Sequence, residues 1–367
     1  MSLLSRVVNL AFNVISLPFL ENNVIGEVLK SDIIFFPLDV IGSIGEPCKT
    51  LFYKFRENEL KLTALARGFC PNCCPVNIHR DIRFVAYSRK FSSGVPIQQM
   101  RSGYAEKAGI DKNLPTVIFI HGFSESSPGH SGRTVIDAYF TRPEPRNLIL
   151  LDWSELSTFP WYQTAVLNVK HAAQRLKRFI EVFHDSGEIP IRTLHVIGFS
   201  LGSHVAGIGG KLLRHGLQIP HITGLDPALP EYSLTDSSER LSKESAEYVD
   251  IIHTDAGIFG IPIAIGHADF FPNGGRALQP GCQPSYIVKQ GIVNQVLACS
   301  HIRSWKLYSE SVVNPRAFPA SRCTLWRGPN KHCEFTVDAY MGFPNTNTTF
   351  GSFYLITNGE KPYGKTH

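Results

Sequence analysis

From about Ile82 to Ile252 the chain alternates short apolar runs with longer amphipathic segments, and this alternation limits the folds it can adopt. Short, almost wholly apolar runs are typical of strands that are buried on both faces of a sheet. Between two such runs, Gln163–Asp185 repeats apolar residues at steps of three and four, which predicts a helix. Strands joined by helices of this length predict a mostly parallel central sheet with helices on both faces. The strand candidates are Thr116–Ile120, Asn147–Leu151, Thr193–Ile197, His221–Thr223 and Tyr248–Ile252.

Composition excludes several classes of protein. A chain of 367 residues with 43% hydrophobic and 18% charged residues is neither intrinsically disordered nor collagen-like. Its net charge of +5 is spread without a long run of one sign, whereas nucleic-acid-binding proteins concentrate basic residues in a patch. The apolar runs at 7–20 and 33–41 fall short of the roughly 18 residues of a membrane span. We therefore expect no nucleic-acid partner and only peripheral membrane contact.

The N-terminal segment Met1–Leu20 has features of a secretory signal peptide. Met1–Arg6 ends in a basic residue, and Val7–Leu20 carries no charge. Asn9 and Asn13 interrupt the apolar run and no small-residue cleavage site follows, so an amphipathic interfacial helix is the alternative. The signal peptide predicts a secreted, extracellular protein, and the sequon at Asn347 is typical of a surface loop in such a protein.

Eight cysteines fall into two groups along the chain. Cys70, Cys73 and Cys74, with His79 nearby, have the spacing of half a zinc site, but no second pair of ligands completes it. Disulfides are the favoured interpretation, and four N-terminal cysteines allow three pairings. The groups are Cys48, Cys70, Cys73 and Cys74, then Cys282, Cys299, Cys323 and Cys333.

The motif Gly198-Phe-Ser-Leu-Gly202 lies between a predicted strand and a predicted helix, Ser203–Leu213. A G-x-S-x-G motif at a strand-to-helix turn predicts a nucleophile elbow, in which the central serine is presented above the sheet edge. The alternative is that Ser200 is the N-cap of a glycine-rich helix start. We identify Ser200 as the candidate nucleophile.

Two further residues follow Ser200 in the order of an α/β-hydrolase triad, with the acid before the histidine. Asp226 directly ends the strand that begins at His221, on the same sheet edge as Ser200, although an aspartate before a proline also starts turns. His301 lies downstream of all the predicted strands, although a lone histidine is often structural. Asp226 is the candidate acid and His301 the candidate base.

With these residues the chain resembles the pancreatic lipase family, which contains lipases, phospholipases A1 and some non-catalytic yolk proteins. The resemblance implies an α/β-hydrolase fold, the triad Ser200, Asp226 and His301, and the disulfides Cys282–Cys299 and Cys323–Cys333. It extends from about Ile82 to Pro315. Its motifs are Phe119–Phe123, Leu151–Trp153, His195–Gly202, Gly224–Ala228, Val249–Thr254, Gly266–Gly275 and Cys299–Ser304.

The triad predicts ester hydrolysis through an acyl-enzyme. His301 accepts the proton of Ser200 as the hydroxyl attacks a carbonyl, and Asp226 orients the imidazole. The backbone N–H groups of Leu201 and Phe123 are the expected oxyanion hole. The reaction needs no cofactor and no metal ion.

A lid is predicted between Cys282 and Cys299, where the segment Gln283–Ala298 carries an apolar stripe. The alternative is a surface helix packed on the core. The lid is short for the family, and the loop Ala256–Gly266 is trimmed, as in its insect-type members. Within the family this combination accompanies phospholipase A1 activity, because an open site admits a polar head group. The stripe comprises Ile287, Val288, Ile292, Val293, Val296 and Leu297.

The leading hypothesis is a phospholipase A1 that cleaves the sn-1 ester of phospholipids at a lipid–water interface. A neutral triacylglycerol lipase is the nearest alternative, and a non-catalytic yolk-type lipid-binding protein is the alternative from another class. We predict a targeting segment and cysteine-containing extension (1–75), a hydrolase domain (76–345) and a tail (346–367). The segment after His301, Ile302–His367, is short, so we expect neither a C-terminal β-sandwich nor a colipase partner.

The segment Thr235–Ser245 aligns with the calcium loop of the family but has Ser237, Ser242 and Ser245 in place of carboxylates, with Arg240 retained. Calcium prefers several charged oxygen ligands, so we expect no structural calcium at this loop. Thermal unfolding should then give the same Tm in calcium and in a chelator. A clear rise in Tm with calcium would contradict the prediction.

Overall fold

A computed structural model describes residues 48–55, 58–282, 293–322, 336–343 and 347–365. Within these ranges, 11 strands form one sheet, and a separate hairpin pairs β1 (Leu51–Phe55) with β2 (Asn58–Leu62). The strands of the main sheet are β3 (Arg83–Tyr87), β4 (Val95–Pro96), β5 (Thr116–Ile120), β6 (Asn147–Asp152), β7 (Leu194–Phe199), β8 (His221–Leu225), β9 (Tyr248–Ile252), β10 (Ala268–Pro272), β11 (Pro319–Arg322), β12 (Ala339–Tyr340) and β13 (Gly351–Leu355).

The centre of the sheet is parallel and its margins are antiparallel. Seven strands run parallel in the spatial order β6, β5, β7, β8, β9, β10 and β13. Beyond them, β3 pairs antiparallel with β6 and with β4, while β11 pairs antiparallel with β13 and with β12. The carboxyl ends of β7, β8 and β9 therefore lie side by side at one edge of the sheet.

Helices cover both faces of the sheet because its central strands are apolar on both sides. Along β5, Ile118 and Ile120 belong to one apolar cluster, and Val117 and Phe119 belong to a second. Helices α4 and α5 pack on the first cluster, and α3 and α6 pack on the second. The helices are α1 (Ile78–Asp81), α2 (Tyr104–Lys107), α3 (Gly129–Thr141), α4 (Tyr162–Asp185), α5 (Leu201–Lys211) and α6 (Val293–Val313).

The structure confirms the predicted fold class and all five predicted strands, two of them with the predicted bounds and three with ends that differ by one or two residues. Both predicted helices are present as α4 and α5. The domain boundary predicted at residue 345 does not coincide with the end of the sheet. Strand β13 falls in the predicted tail, yet it lies inside the sheet between β10 and β11, with Phe353 fully buried.

Three disulfides lie within the described residues, and they rule out the zinc interpretation of the N-terminal cysteines. Cys48 pairs with Cys74, Cys70 pairs with Cys73, and the predicted Cys282–Cys299 bridge is present. The hairpin near these cysteines also joins the main body, because the Lys61 and Thr63 amides donate to Ser124 O and Phe159 O.

Several predictions fall outside the described residues. They are the signal segment 1–20, the Cys323–Cys333 bridge, and the lid residues Ile287, Val288 and Ile292. Val293, Val296 and Leu297 lie on the backbone of α6, but their side chains are outside the description. None of the described helices has both the length and the apolar character needed to cross a membrane.

Candidate active site

Ser200 occupies the sharp turn between β7 and α5. Its backbone has φ 54° and ψ −122°, a strained conformation for a residue with a side chain that costs about 1–3 kcal/mol. The Ser200 amide donates to Leu225 O at 3.0 Å, which fastens the turn to the neighbouring strand β8. The turn also requires glycine at Gly202, because a Cβ atom there would clash with the carbonyl oxygen of Ile120. The motif therefore holds the serine where the sequence predicts it.

Asp226 directly follows β8 and is fully buried. Its Oδ1 accepts hydrogen bonds from the amides of Thr254 at 2.8 Å and Asp255 at 3.1 Å, both just beyond β9. Its Oδ2 accepts from His301 Nδ1 at 2.6 Å. Three donors thus compensate the desolvation of this carboxylate, as a buried charge requires.

His301 reaches this carboxylate from α6, two residues after Cys299 of the disulfide. A hydrogen bond joins the helix to the loop after β9, because Thr254 Oγ1 donates to His301 O at 3.4 Å. The imidazole packs beside two phenyl rings, with its centroid 4.8 Å from that of Phe199 and 5.7 Å from that of Phe259. With Nδ1–H bound to Asp226, Nε2 is left as the basic nitrogen.

Ser200 Oγ makes no hydrogen bond to His301 within the described residues. Catalytic hydrogen bonds are often long without substrate and tighten when it binds. The ring of Phe199, the residue before Ser200, packs on the imidazole of His301, so the two residues lie in one region of the molecule without a direct hydrogen bond.

Nearby carboxylates shift the pKa of His301. Burial opposes the imidazolium charge and by itself lowers the pKa, but the hydrogen bond and charge of Asp226, followed by the charges of Asp255 and Glu125, outweigh it. The net pKa of His301 is raised above its ordinary value of 6.5. The imidazole is therefore a stronger base than free histidine.

A second carboxyl group, Asp255, lies beside this pair. It is 1% exposed, and its Oδ2 has no hydrogen-bond partner within the described residues. Burial, followed by the negative charge of Asp226, raises the pKa of Asp255 far above that of a free carboxyl. Asp255 therefore keeps its proton to a higher pH than a free carboxyl group does.

Ligand atoms of Asp226, Asp255 and His301 lie within 4.8 Å of one another, a spacing that is also compatible with a metal ion. Both oxygens of Asp226 are already used, Oδ1 by two amides and Oδ2 by His301. The geometry thus serves to orient the imidazole.

The loop after β5 contains the predicted oxyanion-hole amide of Phe123. Trp153 Nε1 donates to His121 O at 2.9 Å, and the Gly122 amide donates to Glu125 at 2.9 Å. A Cβ atom on Gly122 would lie 3.0 Å from the Cβ of Ser200, so the loop passes directly beside the serine. In the described part of the chain, the amides of Phe123 and Leu201 donate to no protein group, which leaves both available to a ligand.

The loop that aligns with the family's calcium site is fastened by cations from the chain itself. Arg240 is 5% exposed and donates to three carbonyl oxygens, those of Ser233, Leu234 and Leu241. Lys211 donates to the carbonyl oxygens of Ser237 and Arg240. These contacts place protein cations on carbonyl oxygens of the kind that calcium binds. The absence of calcium at this loop stays a prediction, which the Tm measurement tests.

Four residues of the site were not assigned roles from the sequence. They supply backbone groups, a neutral carboxyl and ring packing around Asp226 and His301, and none of these functions has a distinctive sequence pattern. The one available signal is their closeness to the motif Val249–Thr254. They are Thr254, Asp255, Phe259 and Gly260.

Comparison with known proteins identifies the family. The family model described as Lipase matches residues 72–363. Pancreatic triacylglycerol lipase of Mus musculus is 31% identical over 310 residues, covering 78% of this chain and 65% of that protein. The Homo sapiens enzyme is 32% identical over 316 residues, with 78% and 65% covered. Hepatic triacylglycerol lipase of Oryctolagus cuniculus is 33% identical over 251 residues, with 65% and 50% covered.

The chain spans about two thirds of the length of these pancreatic relatives and half of the hepatic one. The family match extends over most of the chain and includes Ser200, Asp226 and His301. The chain belongs to the lipase family, as its resemblance to the pancreatic lipases implies.

Proposed function

We propose that the protein is a serine ester hydrolase that releases fatty acid from glycerolipids. The observation that carries this proposal is the 2.6 Å hydrogen bond between Asp226 Oδ2 and His301 Nδ1, beside a serine on a strained strand-to-helix turn. The membership of the chain in the lipase family supports the same activity. An intact triad argues against a non-catalytic, yolk-type lipid-binding role.

The reaction proceeds in two steps. Ser200 Oγ attacks the ester carbonyl and passes its proton to His301 Nε2, while Asp226 stabilises the imidazolium. The amides of Leu201 and Phe123 stabilise the oxyanion, and His301 returns the proton to the leaving alcohol. Water, activated by the same imidazole, then releases the fatty acid from Ser200.

For the substrate we propose phospholipids cleaved at sn-1. The loop after β9 supports this choice, because it is hydrogen-bonded to the segment that follows β8. The Ile261 amide donates to Pro227 O at 2.9 Å, and the Leu229 amide donates to Phe259 O at 2.6 Å. A loop held in this way leaves room for a bulky head group. The named relatives favour a triacylglycerol lipase as the second candidate.

Two apolar side chains on the loops after β9 and β10 support contact with a lipid surface. Ile263 and Leu278 are 39% and 49% exposed, and both loops begin at the sheet edge that holds Ser200. Exposed apolar side chains at the rim of a site are suited to shallow insertion into a membrane. We therefore propose peripheral membrane contact, with no colipase.

We also propose that the protein is secreted. Three disulfides lie within the described residues, and disulfides persist in oxidising compartments. The sequon residue Asn347 is exposed, as a glycosylation site requires.

The proposed activity is tested by fatty-acid release from phosphatidylcholine and from a long-chain triacylglycerol, measured side by side. We expect a preference for phosphatidylcholine with release from sn-1. Ser200→Ala should lose activity by about 10⁴-fold or more, because no other group replaces the nucleophile. A preference for triacylglycerol supports the second candidate, and release from neither substrate by folded protein would revive the non-catalytic role.

Asp226→Asn should lower kcat by about 10⁴-fold, because an amide favours the wrong imidazole tautomer. In the native protein, kcat/KM should fall as the pH decreases through the raised pKa of His301, where the base becomes protonated. In Asp226→Asn this acid limb should move to lower pH. The variant loses the charge of Asp226 that raises the pKa of His301, whereas the burial that lowers this pKa remains. The control is Asp255→Asn, which imitates the protonated carboxyl and should retain most of the activity. Equal losses in the two variants would contradict the assigned roles.

Opening the Cys282–Cys299 bridge should affect activity on aggregated lipid more than activity on a short soluble ester. The bridge spans the predicted lid, and a lid acts mainly at an interface. The double variant Cys282→Ser/Cys299→Ser is compared with Cys70→Ser/Cys73→Ser, which removes another bridge. Equal effects of the first variant on both substrates would show that the segment is no lid.

A further inference from the structure

A second buried histidine–aspartate pair lies next to the site, immediately before Thr254. His253 is fully buried and Asp269 is 1% exposed. His253 Nε2 faces Asp269 Oδ1 at 2.8 Å, and His253 Nδ1 faces Ile261 O at 3.0 Å. Ile261 O can only accept a hydrogen bond, so His253 Nδ1 carries a proton and donates to it. The second ring nitrogen, Nε2, is hydrogen-bonded to the buried carboxyl group of Asp269, so neither polar side chain is left without a partner.

The pair fastens the loop between β9 and β10 at three separate points. His253 holds the loop at Ile261 O. Asp269 holds it at two amides, since Oδ1 accepts from Ile265 N at 2.9 Å and Oδ2 accepts from Gly266 N at 3.0 Å. The second half of this loop, from Ile261 to Gly266, can move only if hydrogen bonds to His253 or Asp269 break.

The fastened loop is the part of the chain that seats Asp226 and His301. Thr254 donates from its amide to Asp226 Oδ1 and from its hydroxyl to His301 O, so one residue contacts both. Farther along, Gly260 lies so close to the Asp226 carboxylate that a Cβ atom would clash with it. A displacement of the loop therefore alters the position of the acid and the base together.

We propose that His253 and Asp269 form a positioning pair, whose buried hydrogen bonds hold the loop 254–266 in the form that aligns Asp226 with His301. The pair touches no reacting atom and acts through Thr254 and Gly260. This inference rests on the proposed hydrolase function of the triad. It adds two buried polar residues, distant from the nucleophile in sequence, to the group on which turnover depends.

The chain supplies a matched control in a second histidine–aspartate pair, His221 and Asp250. Asp250, in the middle of β9, is fully buried and accepts from His221 Nε2 at 2.8 Å and from Thr223 Oγ1 at 2.6 Å. His221 begins β8, whereas Asp226 follows its last residue, so this second pair lies toward the opposite end of the strands. Asp269→Asn and Asp250→Asn each remove one buried carboxylate charge of a histidine pair with little change of shape.

The experiment measures kcat and KM on a short soluble ester, per active site titrated with a fluorophosphonate, together with Tm and the pH profile. We expect Asp269→Asn to lower kcat by about 10- to 100-fold, the size expected of a small misplacement. KM should change little, and the acid limb of kcat/KM should move to lower pH because His301 loses part of its contact with Asp226. The other acidic residues that act on His301, Asp255 and Glu125, are unchanged in the variant.

We expect Asp250→Asn to lower Tm by about as much as Asp269→Asn does. Its kcat per active site and the acid limb of its kcat/KM profile should stay as in the native protein. A low-field proton resonance from His301 Nδ1–H provides a readout independent of turnover, and only Asp269→Asn should weaken it. If Asp269→Asn does not fold, His253→Gln, which keeps a donor toward Asp269, is judged by the same criteria.

The positioning role is overturned if Asp269→Asn retains the native kcat and acid limb, or if both variants change them equally. The proposed function itself fails if the native protein is folded but is neither labelled at Ser200 by the fluorophosphonate nor active on any ester. That result overturns the positioning role as well, because no catalytic pair is then present to be aligned.

Discussion

The fully buried carboxylate of Asp226 is the constraint on which the geometry of the site depends. A carboxylate removed from water is strongly destabilising unless donors surround it. Its donors come from separate parts of the chain, because the amides of Thr254 and Asp255 follow β9 whereas the imidazole of His301 lies on α6. The sheet, the loop and the helix must therefore meet within hydrogen-bond distance. The parallel order β7, β8, β9 makes this feasible, since the carboxyl ends of neighbouring parallel strands share one edge.

The second buried carboxyl determines how much charge the site carries. Two ionised carboxylates this close would repel each other, and the raised pKa of Asp255 avoids the repulsion by retaining a proton. Asp226 then provides the single negative charge that the imidazolium of His301 requires. Ionisation of Asp255 at higher pH adds a second negative charge and raises the pKa of His301 further. The protonation of Asp255 and that of His301 therefore depend on each other, and the pH response of the site belongs to both groups.

The sequence predicts the parts of the molecule that repeat, and it predicts less well the parts that depend on single contacts. Strands such as β5 are recognisable because every residue is apolar or β-branched, which is typical of burial on both faces. In β10, the buried Asp269 interrupts that pattern, and β13 begins with Gly351 and Ser352, so neither strand was predicted. Chain order and the strand-to-helix turn locate the candidate triad. The backbone amides that hold Asp226 have no sequence pattern, because any residue except proline supplies one.

The loop between β9 and β10 cannot both hold Asp226 and cover the nucleophile Ser200. The connection between β9 and β10 is short, from His253 to His267, and most of its amides are already bonded. Ala256 donates to Gly275 O, Gly260 to Asp255 O, and His267 to Val249 O, so the loop is tied down along its length. Extending it over Ser200 would break the contacts that align the acid with the base. The loop therefore aligns Asp226 with His301 but leaves Ser200 uncovered. Under the proposed function, a bound lipid would be enclosed by other parts of the chain or by the lipid surface itself.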